Sequence, residues 1–197
     1  CDGGLDLASV SDLTAWVLDG CTVVGGQDSG LPDNTAAGFT TSAFVVTRTG
    51  GINAFAVSFA SELTTYTLQE GISVLLDTIS VPRASGYIRF RARGGTSSVV
   101  TVGIIDKTNL RLICCQTVTL PVGAWADKWY QIPFRYTVGF DNSNTYLFFI
   151  PGDWLLQHSS VYLDKVQVCD VLGDWVANAG PQEALDARVG NIWAKDV

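Results

Sequence analysis

The run Tyr87-Ile88-Arg89-Phe90-Arg91-Ala92-Arg93 alternates apolar and charged side chains from Ile88 onward with a period of two. Successive side chains on an extended strand point to opposite faces, so Ile88 and Phe90 are expected toward a core and the arginines away from it. Similar runs, rich in Val, Thr and aromatics, recur at 15–18, 21–24, 43–47, 54–59, 64–68, 74–81, 87–93, 99–106, 111–120, 129–138, 146–150 and 161–168. Gly, Asn, Asp and Ser separate them, and helical periodicity is nearly absent before residue 180. Many short strands with turn signals between them predict an all-β, two-sheet antiparallel sandwich. Gly25-Gly26, Gly50-Gly51 and Gly94-Gly95 read as loop punctuation. None has the strand–loop–helix setting of a phosphate cradle.

At 197 residues the chain accommodates one domain of sandwich size with extra segments at its ends. We place an N-terminal extension at 1–7, the sandwich at 8–172, and a linker with a short C-terminal helix at 173–197. A net charge of −7 argues against nucleic acid as a partner, which requires clustered Lys and Arg. No apolar run approaches the roughly 18 residues of a membrane span. The row Arg89, Arg91, Arg93 has two readings: a solvated strand face pairing with acids on a neighbour, or a site for an anionic sugar or phosphate. The five cysteines lack a C-x-x-C pair and meet a single histidine, which excludes the usual zinc arrangements. Adjacent Cys114 and Cys115 should face opposite sides of one strand, one of them as a small core residue. A bridge between Cys21 and Cys169 stays open, against a chain folded with its thiols reduced.

The densest information lies at 125–168. Trp129-Tyr130-Gln131-Ile132-Pro133-Phe134-Arg135-Tyr136-Thr137-Val138 forms one strand, Asp141-Asn142-Ser143-Asn144 turns it into Tyr146-Leu147-Phe148-Phe149-Ile150, and Val161-Tyr162-Leu163-Asp164-Lys165-Val166-Gln167-Val168 closes the set. This order resembles the end of the jelly-roll carbohydrate-binding modules, the galactose-binding-like sandwiches. Leu13-Thr14-Ala15-Trp16-Val17-Leu18-Asp19-Gly20 and Gly86-Tyr87-Ile88-Arg89-Phe90-Arg91-Ala92-Arg93 resemble that family's earlier elements more loosely. The resemblance covers residues 10–170 in outline. It implies a jelly-roll sandwich with Trp16 and Trp129 in the core, and a binding role rather than catalysis. It speaks weakly about the ligand, because the fold hosts many functions.

Catalysis finds little support. His158, in Leu155-Leu156-Gln157-His158-Ser159-Ser160, has no flanking acids, and no G-x-S-x-G elbow exists. The strand acids Asp77, Asp106 and Asp164 carry no pairing signal of the kind glycoside hydrolysis uses. We therefore expect no enzyme. Asp164 sits in an otherwise apolar strand and must be paired, hydrogen-bonded or metal-bound if buried. In the similar modules the matching aspartate helps hold a structural calcium. Here the next position, often a second acid, is Lys165, and the family's N-terminal F-E element is not evident, with Asp12 or Asp6 as its potential substitutes. A calcium site at Asp164 is thus set against a surface or salt-bridged aspartate, with no other cofactor expected. Sugar recognition needs exposed aromatic faces, for which Trp125, Trp154, Tyr130 and Tyr87 are the candidates at strand ends and loops.

After Cys169 the pattern changes. Gly180-Pro181-Gln182-Glu183 has the form of a helix start, and Leu185, Val189 and Ile192 recur at heptad-like spacings, with Gly190 weakening the run. So short a helix needs a partner, either its own sandwich or copies of itself in a homotrimer. A β-sandwich followed by such a tail resembles bacteriophage fibre and tail-appendage proteins. The expected role is a virion appendage that attaches to a cell-surface glycan or anchors another virion protein. Two alternatives stand beside it: a secreted or lipid-anchored bacterial carbohydrate-binding module, extracellular or at the cell surface, and a purely structural virion protein. Cys1-Asp2-Gly3-Gly4 is compatible with the lipid-anchored alternative, and the chain contains no methionine.

Overall fold

A computed structural model describes residues 16–28, 42–60, 62–76, 85–121, 130–135, 144–155 and 158–170. The described residues form twelve strands: β1 (Trp16–Asp19), β2 (Cys21–Asp28), β3 (Ser42–Arg48), β4 (Phe55–Ala60), β5 (Leu63–Leu68), β6 (Gly71–Leu75), β7 (Ser85–Gly94), β8 (Val99–Asp106), β9 (Arg111–Thr119), β10 (Tyr130–Arg135), β11 (Thr145–Pro151) and β12 (Ser160–Asp170). Two five-stranded sheets run β1-β6-β11-β8-β9 and β10-β7-β12-β3-β2, and β4 pairs with β5 as a separate hairpin. Every pairing is antiparallel. The architecture is a jelly-roll β-sandwich. No helix among the described residues is long and apolar enough to cross a membrane. The expected C-terminal helix at 180–197 lies outside the described residues.

Alternation builds the core. Phe44 and Val46 of β3, Ile88, Phe90 and Ala92 of β7, Val161 and Leu163 of β12 meet Ile72, Val74, Val100, Val102, Ile104, Leu147 and Phe149 of the facing sheet. The Phe149 ring stands at its centre, edge-on to Phe90 at 5.2 Å and tilted against Trp16 at 6.2 Å. Each such fully buried side chain contributes about 1.5–3 kcal/mol relative to its exposed state. Trp16 is buried, as the sequence implied.

Two irregularities correct the strict alternation. In β12, counting by twos from Val161 and Leu163 would carry Lys165 into the core. A register shift between Asp164 and Gln167 changes the phase, and Val166 is the buried residue instead. Gly25-Gly26 is not a loop: β2 continues through it to Asp28, with a register shift between Val24 and Gln27.

One polar group is sealed into the end of this core. Arg48 and Glu70, both at 0% side-chain exposure, form an ion pair with Nε to Oε2 at 2.7 Å. The guanidinium also donates to the carbonyls of Asp153 (2.8 Å), Ile52 (2.9 Å) and Pro151 (3.3 Å). Glu70 Oε1 accepts from the Ile52 N–H at 3.0 Å. Gly20, in the left-handed region at φ +53°, closes over the pair: a Cβ there would lie 2.8 Å from Glu70 Cγ.

Cys21 lies opposite Arg48, whose N–H donates to Ser159 O at 2.9 Å. Cys169 stands opposite Tyr87 at the far end of β12. At about 3.3 Å per residue that is roughly 30 Å from Ser160, so the Cys21–Cys169 bridge is ruled out. Cys21 is a free, buried thiol. Cys114 packs against the core and Cys115 is exposed, as their adjacency required.

Removing one member of a buried ion pair strands the other. Arg48→Met is expected to destabilise the domain by about 3–5 kcal/mol, read as a lower urea midpoint at unchanged m-value. A loss below about 1 kcal/mol would mean that Glu70 is relieved by water or protonation.

Candidate functional site

The hairpin β4–β5 lies over the outer face of the β1-β6-β11-β8-β9 sheet and creates a second apolar cluster. Ala54, Phe55 and Leu68 from the hairpin meet Ile105, Phe148 and Ile150 of the sheet, with Tyr66, Leu112 and Tyr146 around them. Phe55 is edge-on to both Phe148 (5.5 Å) and Tyr66 (6.2 Å). Phe55, Val57 and Phe59 share one face of β4 by the period of two, and Val57 pairs with Tyr66. Exposure along that face climbs from 6% at Phe55 through 38% at Val57 to 79% at Phe59. The hairpin thus runs out beyond the cover of the sheet.

A groove of about 350 Å³ opens beneath it, lined by Phe55, Val57, Tyr66, Leu112, Cys115 and Trp154. The hairpin supplies Phe55, Val57 and Tyr66, the edge strand β9 supplies Leu112 and Cys115, and Trp154 comes from the loop after β11. Trp154 is 45% exposed.

The hairpin is tied down at its root and midway along β5. At its root Ala54 N–H donates to Trp154 O at 2.8 Å, and Gln69 N–H to Ala54 O at 2.7 Å. Arg48 grips the neighbouring Asp153 carbonyl, and Asp153 Oδ1 accepts from the Leu155 N–H at 2.8 Å, so Trp154 lies between two anchored residues. On the other side Tyr66 N–H donates to Leu110 O at 2.8 Å. Leu110 has φ +55°, a conformation few leucines adopt, at the end of a turn built by Asp106. That carboxylate accepts from Thr108 N, Asn109 N and Asn109 Nδ2 at 2.8–2.9 Å, with Arg111 at 3.9 Å. Burial pushes the Asp106 acid upward, but these hydrogen bonds and Arg111 together outweigh it and hold it below the usual carboxylate range.

The sequence candidates separate cleanly. Trp154 stands in the groove. Tyr87 and Tyr130 do not: they are 6% and 8% exposed, and Tyr130 stacks on Phe90 at 5.5 Å inside the sandwich. Buried rings offer no face to a sugar, so strand-end position was a poor guide to exposure. Trp125, Leu185, Val189 and Ile192 lie outside the described residues, as do Asp77 and Trp129. The Asp164 side chain does too; its backbone stands in register opposite Arg91. His158 is exposed, beside Gly51.

The arginine row faces away from the core but is not a solvated face. Arg91 is 1% exposed, and the Arg93 guanidinium lies 4.0 Å over the Tyr162 ring. Tyr146, an aromatic on the outer face of the other sheet, is covered by Lys107 Nζ at 4.1 Å, which also donates to Ser73 Oγ at 2.8 Å. Burial holds the Lys107 amine below its ordinary value, with Asp19 acting against that shift. The strands of the hairpin were expected, but Tyr66 and Leu112 as groove residues escaped the sequence reading, because their meeting depends on a strand pair that leaves the main sheets.

Among solved structures, the chain is similar to an arabinose-bound family 51 α-L-arabinofuranosidase, with a TM-score of 0.50 and 10% identity over 82% of this chain and 24% of that one. It is also similar to a family 11 carbohydrate-binding module of a Clostridium thermocellum cellulase, at TM-score 0.43 and 14% identity over 87% and 96%. A third is the C-terminal family 22 carbohydrate-binding module of Clostridium thermocellum Xyn10B, at TM-score 0.43 and 14% identity over 83% and 90%. The chain thus spans about a quarter of the arabinofuranosidase chain, a likeness that bears on the fold alone. No family model and no curated relative matches.

Desolvation by neighbouring groups raises the thiol pKa of Cys115 to about 11 although the residue is exposed, and burial raises those of Cys21 and Cys114 to about 12. Below those values each pH unit multiplies the thiolate fraction about tenfold. Peptide-resolved iodoacetamide labelling of the folded protein should therefore modify Cys115 first of the three, at a rate climbing about tenfold per unit above pH 8. Cys21 should label only on unfolding. Equal rates for Cys21 and Cys115 would show the groove wall to be closed.

Proposed function

We propose that this chain is a non-catalytic glycan-binding domain whose ligand seats in the groove under the β4–β5 hairpin, against Trp154 and Tyr66. The observation that carries the reading is the half-exposed Trp154 indole beside an open apolar groove, held by a backbone anchored on both sides. Sugar rings present an apolar face of C–H groups that stacks on such an aromatic surface. A pre-set platform also costs little ordering on binding, which favours affinity. The likeness in fold to carbohydrate-binding modules agrees with this reading without identifying a ligand.

The setting we propose is a virion appendage, with attachment to a cell-surface glycan as the purpose of binding. That part of the reading stands on the heptad-like spacing of Leu185, Val189 and Ile192. A secreted or surface-held bacterial module would use the same groove, and a purely structural virion protein would leave it without a ligand.

Trp154→Ala should weaken binding to a retained glycan by about tenfold or more in calorimetry, the scale of one lost aromatic platform. The urea midpoint should stay near that of the parent, since the ring is half exposed. Undiminished affinity would move the ligand off this groove.

Light scattering of the chain with and without residues 180–197 tests the setting. A trimer that becomes monomer on truncation is the expected outcome, and a monomer in both forms would remove the stalk argument.

A further inference from the structure

The lining of the groove is chemically one-sided. None of Phe55, Val57, Tyr66, Leu112, Cys115 and Trp154 carries a charge. An acidic sugar or an amino sugar entering it would give up water and meet no counter-ion, at a cost no aromatic contact offsets. The ligand that fits is neutral. An unsubstituted hexose fits poorly as well, because its rim of hydroxyls needs a partner for each one buried. The polar groups among the lining residues are the Tyr66 hydroxyl, the Trp154 indole N–H and the Cys115 thiol. Trp is a donor only, Tyr donates readily, and a thiol is weak in either role. The walls therefore ask for a ligand with methyl groups for Val57, Leu112 and Phe55, and a carbonyl acceptor for the two donors.

An acetyl group has both. Resting on the glycan reading above, we infer that the groove selects neutral sugars bearing acetyl substituents, as N-acetyl or O-acetyl groups. The apolar strip that continues from Val57 to Phe59, the latter 79% exposed, extends the same preference beyond one sugar unit. Replacing a hydroxyl by an acetyl removes a buried hydroxyl that lacks a partner and buries a methyl, so the expected selectivity is at least tenfold.

The test uses matched pairs on the full chain by calorimetry. One pair is tetrameric β-1,4-linked N-acetylglucosamine against the glucose tetramer of the same linkage. The other is O-acetylated xylo-oligosaccharide against its saponified form. The inference expects the acetylated member of at least one pair to bind ten times more tightly than its partner and to protect Cys115 from iodoacetamide. Which pair responds distinguishes the amide from the ester source. Val57→Asp, at a position 38% exposed and tolerant of charge, should erase the preference while leaving the fold intact by circular dichroism. Equal binding of both members in each pair would overturn the inference and leave the glycan reading standing. No binding by any of the four and no protection of Cys115 would overturn both.

Discussion

The Arg48–Glu70 pair is where the sandwich, the hairpin and the groove are joined. Four hydrogen bonds leave one guanidinium, to a carboxylate on the approach to β6, to the turn before β4, to the last carbonyl of β11 and to one in the loop after it. These segments are distant in sequence, and hydrophobic packing alone would not fix their relative orientation, since it is non-directional. A planar, five-donor group does fix it. The pair contributes less to net stability than its geometry suggests, because both ions are stripped of water. Its effect is to exclude other arrangements of the hairpin root, where any shift leaves a buried charge unmatched.

Most of the strands were legible because each buried face writes itself as a period of two; β6, expected at 74–81, runs Gly71–Leu75 instead. The same period held the signal for the ion pair, which went unread. Phe44, Val46 and Arg48 are in phase on β3, and Glu70, just before β6, is in phase with Ile72 and Val74. Opposite charges at two inward positions, each in an otherwise apolar series, are what a buried pair looks like in sequence. What the pattern could not supply was the phase change in β12. A bulge is a local choice between burying Lys165 and burying Val166, and tertiary packing makes that choice.

The candidate site was legible only in part, for a related reason. Trp154 could be read because Pro151-Gly152-Asp153 gives it a loop setting. Tyr87 and Tyr130 misled because a strand end is exposed only when nothing packs beyond it. The groove itself belongs to no single motif. It exists because β4 and β5 pair with each other rather than joining either sheet, and because Asp106, through its turn, presents the Leu110 carbonyl to Tyr66. Each contact is ordinary; their coincidence is a property of the topology.

The shape of the groove and the stability of the sandwich are therefore coupled through the backbone rather than through shared side chains. Trp154 contributes little to the core, yet its placement is fixed by carbonyl contacts at Asp153 and at its own carbonyl, which lead directly to Arg48 and Ala54. Substitutions on the groove surface can alter its lining while the sandwich stays intact. Changes at the ion pair cannot do the reverse, since loosening the hairpin root spreads both walls of the groove. A groove hung from a rigid core at two points can vary its lining side chains freely, provided the points of attachment are kept.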